Sequence, residues 1–159
     1  MKALVAYFSA TGNTKALAEK MAEAAGADLF EIVPEIPYTA ADLDWQDSQS
    51  RSSLEMENKA SRPGIRDKAG NMDEYDVIFV GFPIWWYTAP RIINTFLEQY
   101  DLTGRTVIPF ATSGSSGMGS TNAYLAPSCK GARLLAGRRF SGRATKQDLK
   151  RWVASLNLG

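Results

Sequence analysis

The sequence predicts an α/β fold, a doubly wound parallel sheet with helices on both faces. Three observations carry this. Ala3 to Phe8 and Val77 to Phe82 are continuous apolar runs, the pattern of strands buried on both faces rather than one. Segments with apolar residues at helical spacing lie between such runs. Strand and helix patterns then alternate about five times, which calls for right-handed βαβ connections and helices on each side of the sheet.

The elements follow in order. Ala3 to Phe8 reads as the first strand, and Ser9-Ala10-Thr11-Gly12-Asn13-Thr14 as a turn-rich break. Lys15 to Ala25 carries Leu17, Met21 and Ala24 or Ala25 on one helical face, and Gly26 is a natural stop. Asp28 to Val33 reads as a second strand closed by Pro34. The connection from about 34 to 75 is the least regular part of the chain. Thr39-Ala40-Ala41-Asp42 resembles a capping box, so Leu43 to Glu57 is expected to be helical, with Pro63-Gly64 beyond it as a break. So long a connection is expected to be partly helical or functional.

Val77 to Phe82 is the third strand. Pro90 opens a helix in which Ile92, Ile93, Phe96, Leu97 and Tyr100 recur at helical spacing. Thr106 to Ala111 is the fourth strand, and Pro109 inside it removes a ladder donor, which predicts a bulge or an irregular end. Thr121 to Ala126 is a weak helix, and Leu134-Leu135 lies near a short fifth strand. Thr145 and Asp148 cap a final helix with Leu149, Trp152, Val153 and Leu156 on one face. Residues 1–159 are expected to form one domain.

Composition narrows the chemistry. The chain has no histidine and one cysteine, Cys129. That excludes a Ser-His-Asp triad, imidazole ligation, an internal disulfide, a Cys-x-x-Cys pair and a thiolate zinc site. No metal set is visible, and Cys129 is expected to be an inert small hydrophobe. A net charge of +1 argues against nucleic acid, and the Arg133, Arg138, Arg139 and Arg143 cluster is expected to be a solvated face. Arg51, Arg62 and Arg66 could meet the phosphate of a nicotinamide dinucleotide, but a solvated surface position is the expectation. The longest mostly apolar stretch, Val77 to Tyr87, is far short of the ~20 residues of a membrane span, and no targeting segment is visible; the expected compartment is the cytoplasm.

In an open doubly wound sheet, ligands bind beyond the carboxyl ends of the strands. Three unusual loops fall there. Ser9 to Thr14 joins a strand to a helix start, where amides, the Ser9, Thr11 and Thr14 hydroxyls, and the freedom of Gly12 suit an anion without any charged side chain. It is neither a Walker loop nor a Gly-x-Gly-x-x-Gly turn. Pro83-Ile84-Trp85-Trp86-Tyr87 puts three adjacent aromatics at a strand end, one expected to anchor the loop and the others to line a site. Thr112-Ser113-Gly114-Ser115-Ser116-Gly117 and the residues to Ser120 offer backbone amides for the edge of a ring. Together they describe a site for a phosphorylated planar heterocycle. Trp45 is expected either to pack the 34–75 segment or to help cover that site.

On these residues the chain resembles the flavodoxin-like family of FMN-binding proteins. Tyr7-Phe8-Ser9-Ala10-Thr11-Gly12-Asn13-Thr14 is similar to that family's phosphate loop, and Gly81-Phe82-Pro83-Ile84-Trp85-Trp86 to the flavin loop of the branch called flavodoxin or quinone reductase. Phe110-Ala111-Thr112-Ser113-Gly114 resembles its third loop. The resemblance implies a five-stranded parallel sheet in the order 2-1-3-4-5. It implies that Ser9, Ala10, Thr11, Gly12, Asn13 and Thr14 hold the FMN phosphate. Pro83, Ile84, Trp85, Trp86 and Tyr87 would lie against the isoalloxazine. Thr112, Ser113, Gly114, Ser115 and Gly117 would meet the pyrimidine edge or ribityl chain. No side chain is required as a catalytic acid or base.

The resemblance further implies electron transfer, or NAD(P)H-dependent reduction of a small flat acceptor such as a quinone. The near-neutral charge differs from the acidic surface of the family's electron carriers, which tells against a plain carrier. No glycine stands at Trp86-Tyr87, and on that ground a less stable one-electron-reduced flavin is expected. The alternative is a flavin-free signalling or interaction module of the same fold. A phosphoryl receiver lacks its acidic residues after the first strand, and a low-molecular-weight phosphatase lacks Cys-x5-Arg in the first loop.

Overall fold

The computed structural model describes residues 2–158. The chain runs β1 (Ala3–Tyr7), α1 (Asn13–Ala25), β2 (Asp28–Glu31), α2 (Arg51–Glu57), β3 (Val77–Pro83), α3 (Arg91–Glu98), β4 (Thr106–Thr112), α4 (Thr121–Leu125), β5 (Arg133–Leu134), β6 (Arg138–Phe140) and α5 (Lys146–Ser155). The sheet order is β2-β1-β3-β4-β5, with β6 also on β4, and every pairing is parallel. The expected flavodoxin-like order is thus the observed one.

The continuous apolar runs are explained by two cores, one on each face of the sheet. Leu4, Ala6, Ile78, Val80 and Phe82 face Ile92, Phe96 and Leu97 of α3. Val5, Tyr7, Val77 and Phe79 face Leu17 and Met21 of α1 and Leu149 and Trp152 of α5. Side chains alternate across a strand, so a strand covered on both sides has no polar face to offer. Trp152 stands edge-on to Phe79 and Phe140. A capping box between Thr145 and Asp148 starts α5 as the sequence predicts. Cys129 is buried with its thiol donating to the Leu125 carbonyl, and burial raises its pKa.

β4 has neither the bulge nor the irregular end that Pro109 suggests. β4 itself is unbroken and keeps register with β3, Val80 opposite Pro109. The irregularity appears in the neighbouring position. Thr106 and Val107 pair with Arg133 and Leu134, whereas Phe110 to Thr112 pair with Arg138 to Phe140, one residue further on. The amide of Leu135 donates to the Val107 carbonyl. In a regular parallel ladder the Leu135 carbonyl would then accept from residue 109, which as proline has no N–H. Asn122 Nδ2 donates to that carbonyl instead, at 2.9 Å. The fifth strand is therefore one strand in two pieces.

The 34–75 segment is less helical than expected. Thr39 and Asp42 do exchange hydrogen bonds, Thr39 N to Asp42 Oδ2 at 2.9 Å and Asp42 N to Thr39 Oγ1 at 3.2 Å, but they head only a turn. Asp44 and Asp47 each accept from the amide two residues on, closing side-chain turns that compete with helix propagation. The helix begins only after Ser50, whose hydroxyl caps the Ser53 amide. The segment returns to pair Ile65 with Pro34 in an antiparallel bridge.

Asn122→Ala is expected to leave the Leu135 carbonyl unpaired and to lower stability by about 1–3 kcal/mol, the cost of an orphaned, partly buried acceptor. Urea unfolding midpoints read this directly.

Candidate functional site

The carboxyl ends of β1, β3 and β4 bring the three predicted loops together around one cleft of about 410 Å³. Thr11 and Asn13 of the first loop, Pro83, Ile84 and Trp85 of the second, and Thr112, Ser113 and Gly114 of the third line it. Ser116 and Gly142 complete the lining. An adjoining cleft of about 520 Å³ shares Ile84, Trp85 and Ser116 and adds Trp86, Tyr87, Leu43, Trp45 and Ser52.

The first loop is organised by Ser9. Its hydroxyl accepts from the Gly12 amide at 3.0 Å and the Lys15 amide at 3.2 Å. Gly12 takes φ 97°, the left-handed region that glycine tolerates best. Two amides of the helix start are thus occupied. Those of Asn13 and Thr14, in the first turn of α1, have no protein acceptor among the described residues. Those N–H groups point along the helix axis and favour an anion. Among the described residues no lysine or arginine lines the cleft, so the amides and hydroxyls are its anion-binding chemistry.

Thr112 ties the loops to one another. Its hydroxyl is hydrogen-bonded to that of Thr14 at 2.8 Å, both buried. Its carbonyl accepts from the Ile84 amide at 3.0 Å. Thr14 is therefore engaged with Thr112 rather than turned freely toward the cleft.

The second loop is a tight turn. Trp85 and Thr88 exchange backbone hydrogen bonds at 2.9 and 3.1 Å. Between them Trp86 and Tyr87 take φ 49° and 63°. Positive φ at both central residues belongs to the turn type that ordinarily selects Asn-Gly, and each non-glycine residue there costs about 1–2 kcal/mol. The absence of glycine at 86–87 has therefore not prevented the left-handed backbone. The turn is clamped from outside, where Ser120 N donates to the Tyr87 carbonyl at 3.1 Å. Gly119 sits against that carbonyl, with φ 53°, where any Cβ would overlap it. Trp85 is the anchoring ring, edge-on to Phe8 at 5.7 Å and Tyr38 at 5.5 Å. Trp86 and Tyr87 are 45% and 68% exposed.

The third loop is held by Arg139. Its Nε donates to Ser113 Oγ at 3.1 Å, and its terminal nitrogen donates to the Ser113 carbonyl at 3.1 Å and the Gly114 carbonyl at 2.6 Å. The Ser113 hydroxyl donates in turn to the Ser116 carbonyl. Arg139 is thus no solvated member of its cluster but part of the loop's framework, which corrects the surface reading of that residue. Ser115 and Gly117 are exposed and lie outside the lining of both clefts, and Ala10 packs against the core.

The 34–75 segment supplies what sequence reasoning left open. Tyr38 packs on Phe8 and Trp85 and donates to Glu55 Oε1 at 2.5 Å, while the Arg51 guanidinium lies 3.8 Å from its ring centre. Burial pushes the Tyr38 hydroxyl well above the ordinary tyrosine range, and the bond to Glu55 adds to it. Trp45 is 70% exposed and faces the clefts rather than the core. Its aromatic type was the only signal available, since nothing in the surrounding polar sequence fixes the direction of a loop side chain.

A parallel sheet in the order 2-1-3-4-5, with an amide cradle and an aromatic wall at its carboxyl edge, defines a flavodoxin-like protein. The chain belongs to the flavodoxin family, whose sequence model matches residues 2–156. It is similar to provisionally named flavoproteins from Bacteroides eggerthii (47% identity, 99% of both chains, TM-score 0.93) and Bacteroides uniformis (50% identity, 96% of this chain and 97% of that one, TM-score 0.91). A Lactobacillus acidophilus flavoprotein solved in complex with FMN shares the fold at 22% identity (96% of this chain and 98% of that one, TM-score 0.71). No curated protein matches the chain. No helix among the described residues is long and apolar enough to cross a membrane.

Tyr87→Gly removes a left-handed penalty while giving up an exposed ring. It is expected to raise stability by about 0.5–1 kcal/mol after the unfolded-state entropy of glycine is counted. Urea unfolding tests this. Tyr38 carries a pH dependence. Its folded pKa is raised, so its stabilisation is full below the unfolded value near 10 and declines as pH rises above it, because only the unfolded chain releases the proton. Unfolding midpoints measured between pH 9 and pH 11 are expected to fall less steeply for Tyr38→Phe than for the unaltered protein (about pH 10 marks the onset).

Proposed function

We propose that this protein is an FMN-dependent redox protein, a single domain that passes electrons from a donor such as NAD(P)H to a small flat acceptor such as a quinone. The observation that carries the reading is the fastening of an amide cradle, an aromatic wall and an amide-rich loop to one sheet edge through Thr112. The flavodoxin family and the flavoprotein complexed with FMN support it.

The residues fit the cofactor. The unpartnered Asn13 and Thr14 amides suit a phosphate dianion at a helix start. Ser9, Ala10, Thr11 and Gly12 shape the loop around it, Ser9 by fixing two amides and Gly12 by its positive φ. Pro83, Ile84 and Trp85 offer an apolar wall for the ring, continued by Trp86 and Tyr87. Thr112, Ser113 and Gly114, with Ser115 and Gly117 on the same loop, supply backbone groups for the pyrimidine edge and ribityl chain, and Arg139 holds that loop by its carbonyls. Bound flavin would supply the electron-carrying chemistry; the protein binds and orients it and walls the ring with apolar side chains. The net charge of +1 favours a small acceptor over docking on a basic carrier protein.

The protein is expected to purify yellow, or to turn so with added FMN. A colourless protein that does not bind FMN would leave the flavin-free module as the better reading. Steady-state NAD(P)H oxidation with a quinone separates an enzyme from a carrier. Ser9→Ala is expected to raise the Kd for FMN by about tenfold, equivalent to about 1.4 kcal/mol, while leaving that for riboflavin within about twofold. Titration of each flavin by fluorescence quenching gives the comparison. Equal losses for both ligands would move the phosphate away from this loop.

A further inference from the structure

We propose that the groove between Trp45 and Trp86 is an acceptor subsite for an uncharged, flat aromatic molecule. Of the residues lining its outer part only Trp86 belongs to the loops assigned above to FMN, so Trp86 stands between cofactor and acceptor; the subsite rests on the redox reading. Trp45 and Trp86 are the two residues shared by the 520 Å³ cleft and a further cleft of about 410 Å³, walled by Ser53, Met56 and Glu57 of α2. The outer cleft is of the size that takes a small molecule of two or three fused rings.

Two independent features mark it as a binding place. Trp45 is 70% exposed and Trp86 45% exposed, although the chain buries most of its large apolar side chains. Neither ring packs against another aromatic ring among the described residues, whereas Trp85 and Trp152 each stand edge-on to two. Their π-faces are free to take a planar ring. Trp86 moreover sits on backbone that is costly for a non-glycine residue. Its left-handed φ of 49° is held by the reciprocal Trp85–Thr88 bonds and by the Ser120 amide on the Tyr87 carbonyl. Strain retained at a cleft wall and clamped from both sides marks a position set for a ligand.

The lining sets the charge of that ligand. Neither cleft has a lysine or arginine in its lining among the described residues, and Glu57 faces the outer one. Arg51 is spent on Glu55 and on the Ile36 carbonyl, and Arg91, which reaches the groove wall, is buried with its terminal nitrogen donating to the Met56 carbonyl. A ring bearing sulfonate, carboxylate or phosphate would meet a carboxylate and no cation. The Ser52 and Ser53 amides at the start of α2 already donate to the Asp42 carbonyl and the Ser50 hydroxyl, so the groove lacks the free amides of the first loop and selects a neutral ring over an anionic one.

The experiment is equilibrium dialysis of the oxidised, FMN-loaded protein against menadione and against a naphthoquinone sulfonate, a similar ring with a fixed negative charge. Menadione is expected to bind at least about tenfold more tightly. Trp45→Ala, at a mostly exposed position, is expected to weaken menadione binding by at least about fivefold while keeping the FMN affinity within about twofold. Equal binding of the two quinones, or menadione binding indifferent to Trp45→Ala, overturns the subsite. A tenfold or greater loss of FMN affinity in Trp45→Ala also overturns it, by placing Trp45 in the cofactor's own seat. Failure of the unaltered protein to hold FMN is a different result, and it removes the redox reading together with the subsite.

Discussion

Thr112 is the residue on which the site's geometry depends. It ends β4, and it binds in two directions at once. Its hydroxyl meets that of Thr14 at the start of α1, and its carbonyl takes the amide of Ile84 at the end of β3. Three loops from distant parts of the chain are thereby set at fixed spacing. The pair of hydroxyls is buried, so losing one partner would strand the other without water. A side chain of valine shape would fill the same volume and break the cross-link, which is why the position needs a hydroxyl and not only bulk.

The remaining framework follows the same economy. Each loop has one organiser: Ser9 within the first, the Trp85–Thr88 pair within the second, and Arg139, reaching across from β6, for the third. None of them faces the clefts as a formal charge. The lining stays neutral in its inner part, so an anionic group would be held by oriented dipoles alone. Such donors keep their alignment whatever the pH, which suits a chain without histidine.

Much of this was legible in the sequence because buried parallel strands announce themselves. Val77 to Phe82 has no polar residue to hide, and its helical neighbours repeat at the right spacing. The three loops were visible by composition and by their place after those strands. The rest depended on long-range partners. Thr39 and Asp42 form the expected reciprocal bonds, yet Asp44 and Asp47 divert the following backbone, and propensity alone does not rank the two. Arg139 sits in a run of arginines whose spacing carries no sign of which one reaches the Ser113 loop. Trp45 lies in polar sequence where no periodicity sets its direction.

The split fifth strand has a consequence at the scale of association between molecules. A sheet's outer strands present unpaired amides and carbonyls to any passing chain, and long straight edges invite a neighbour to add itself. Here one edge is β2, four residues long with carboxylates at Asp28 and Glu31. The other is cut into pieces of two and three residues by a one-residue slip opposite Pro109. Neither offers a ladder long enough to nucleate stacking. The proline that costs the sheet one internal bond thus also removes a template for aggregation, at the border where the third loop of the site begins.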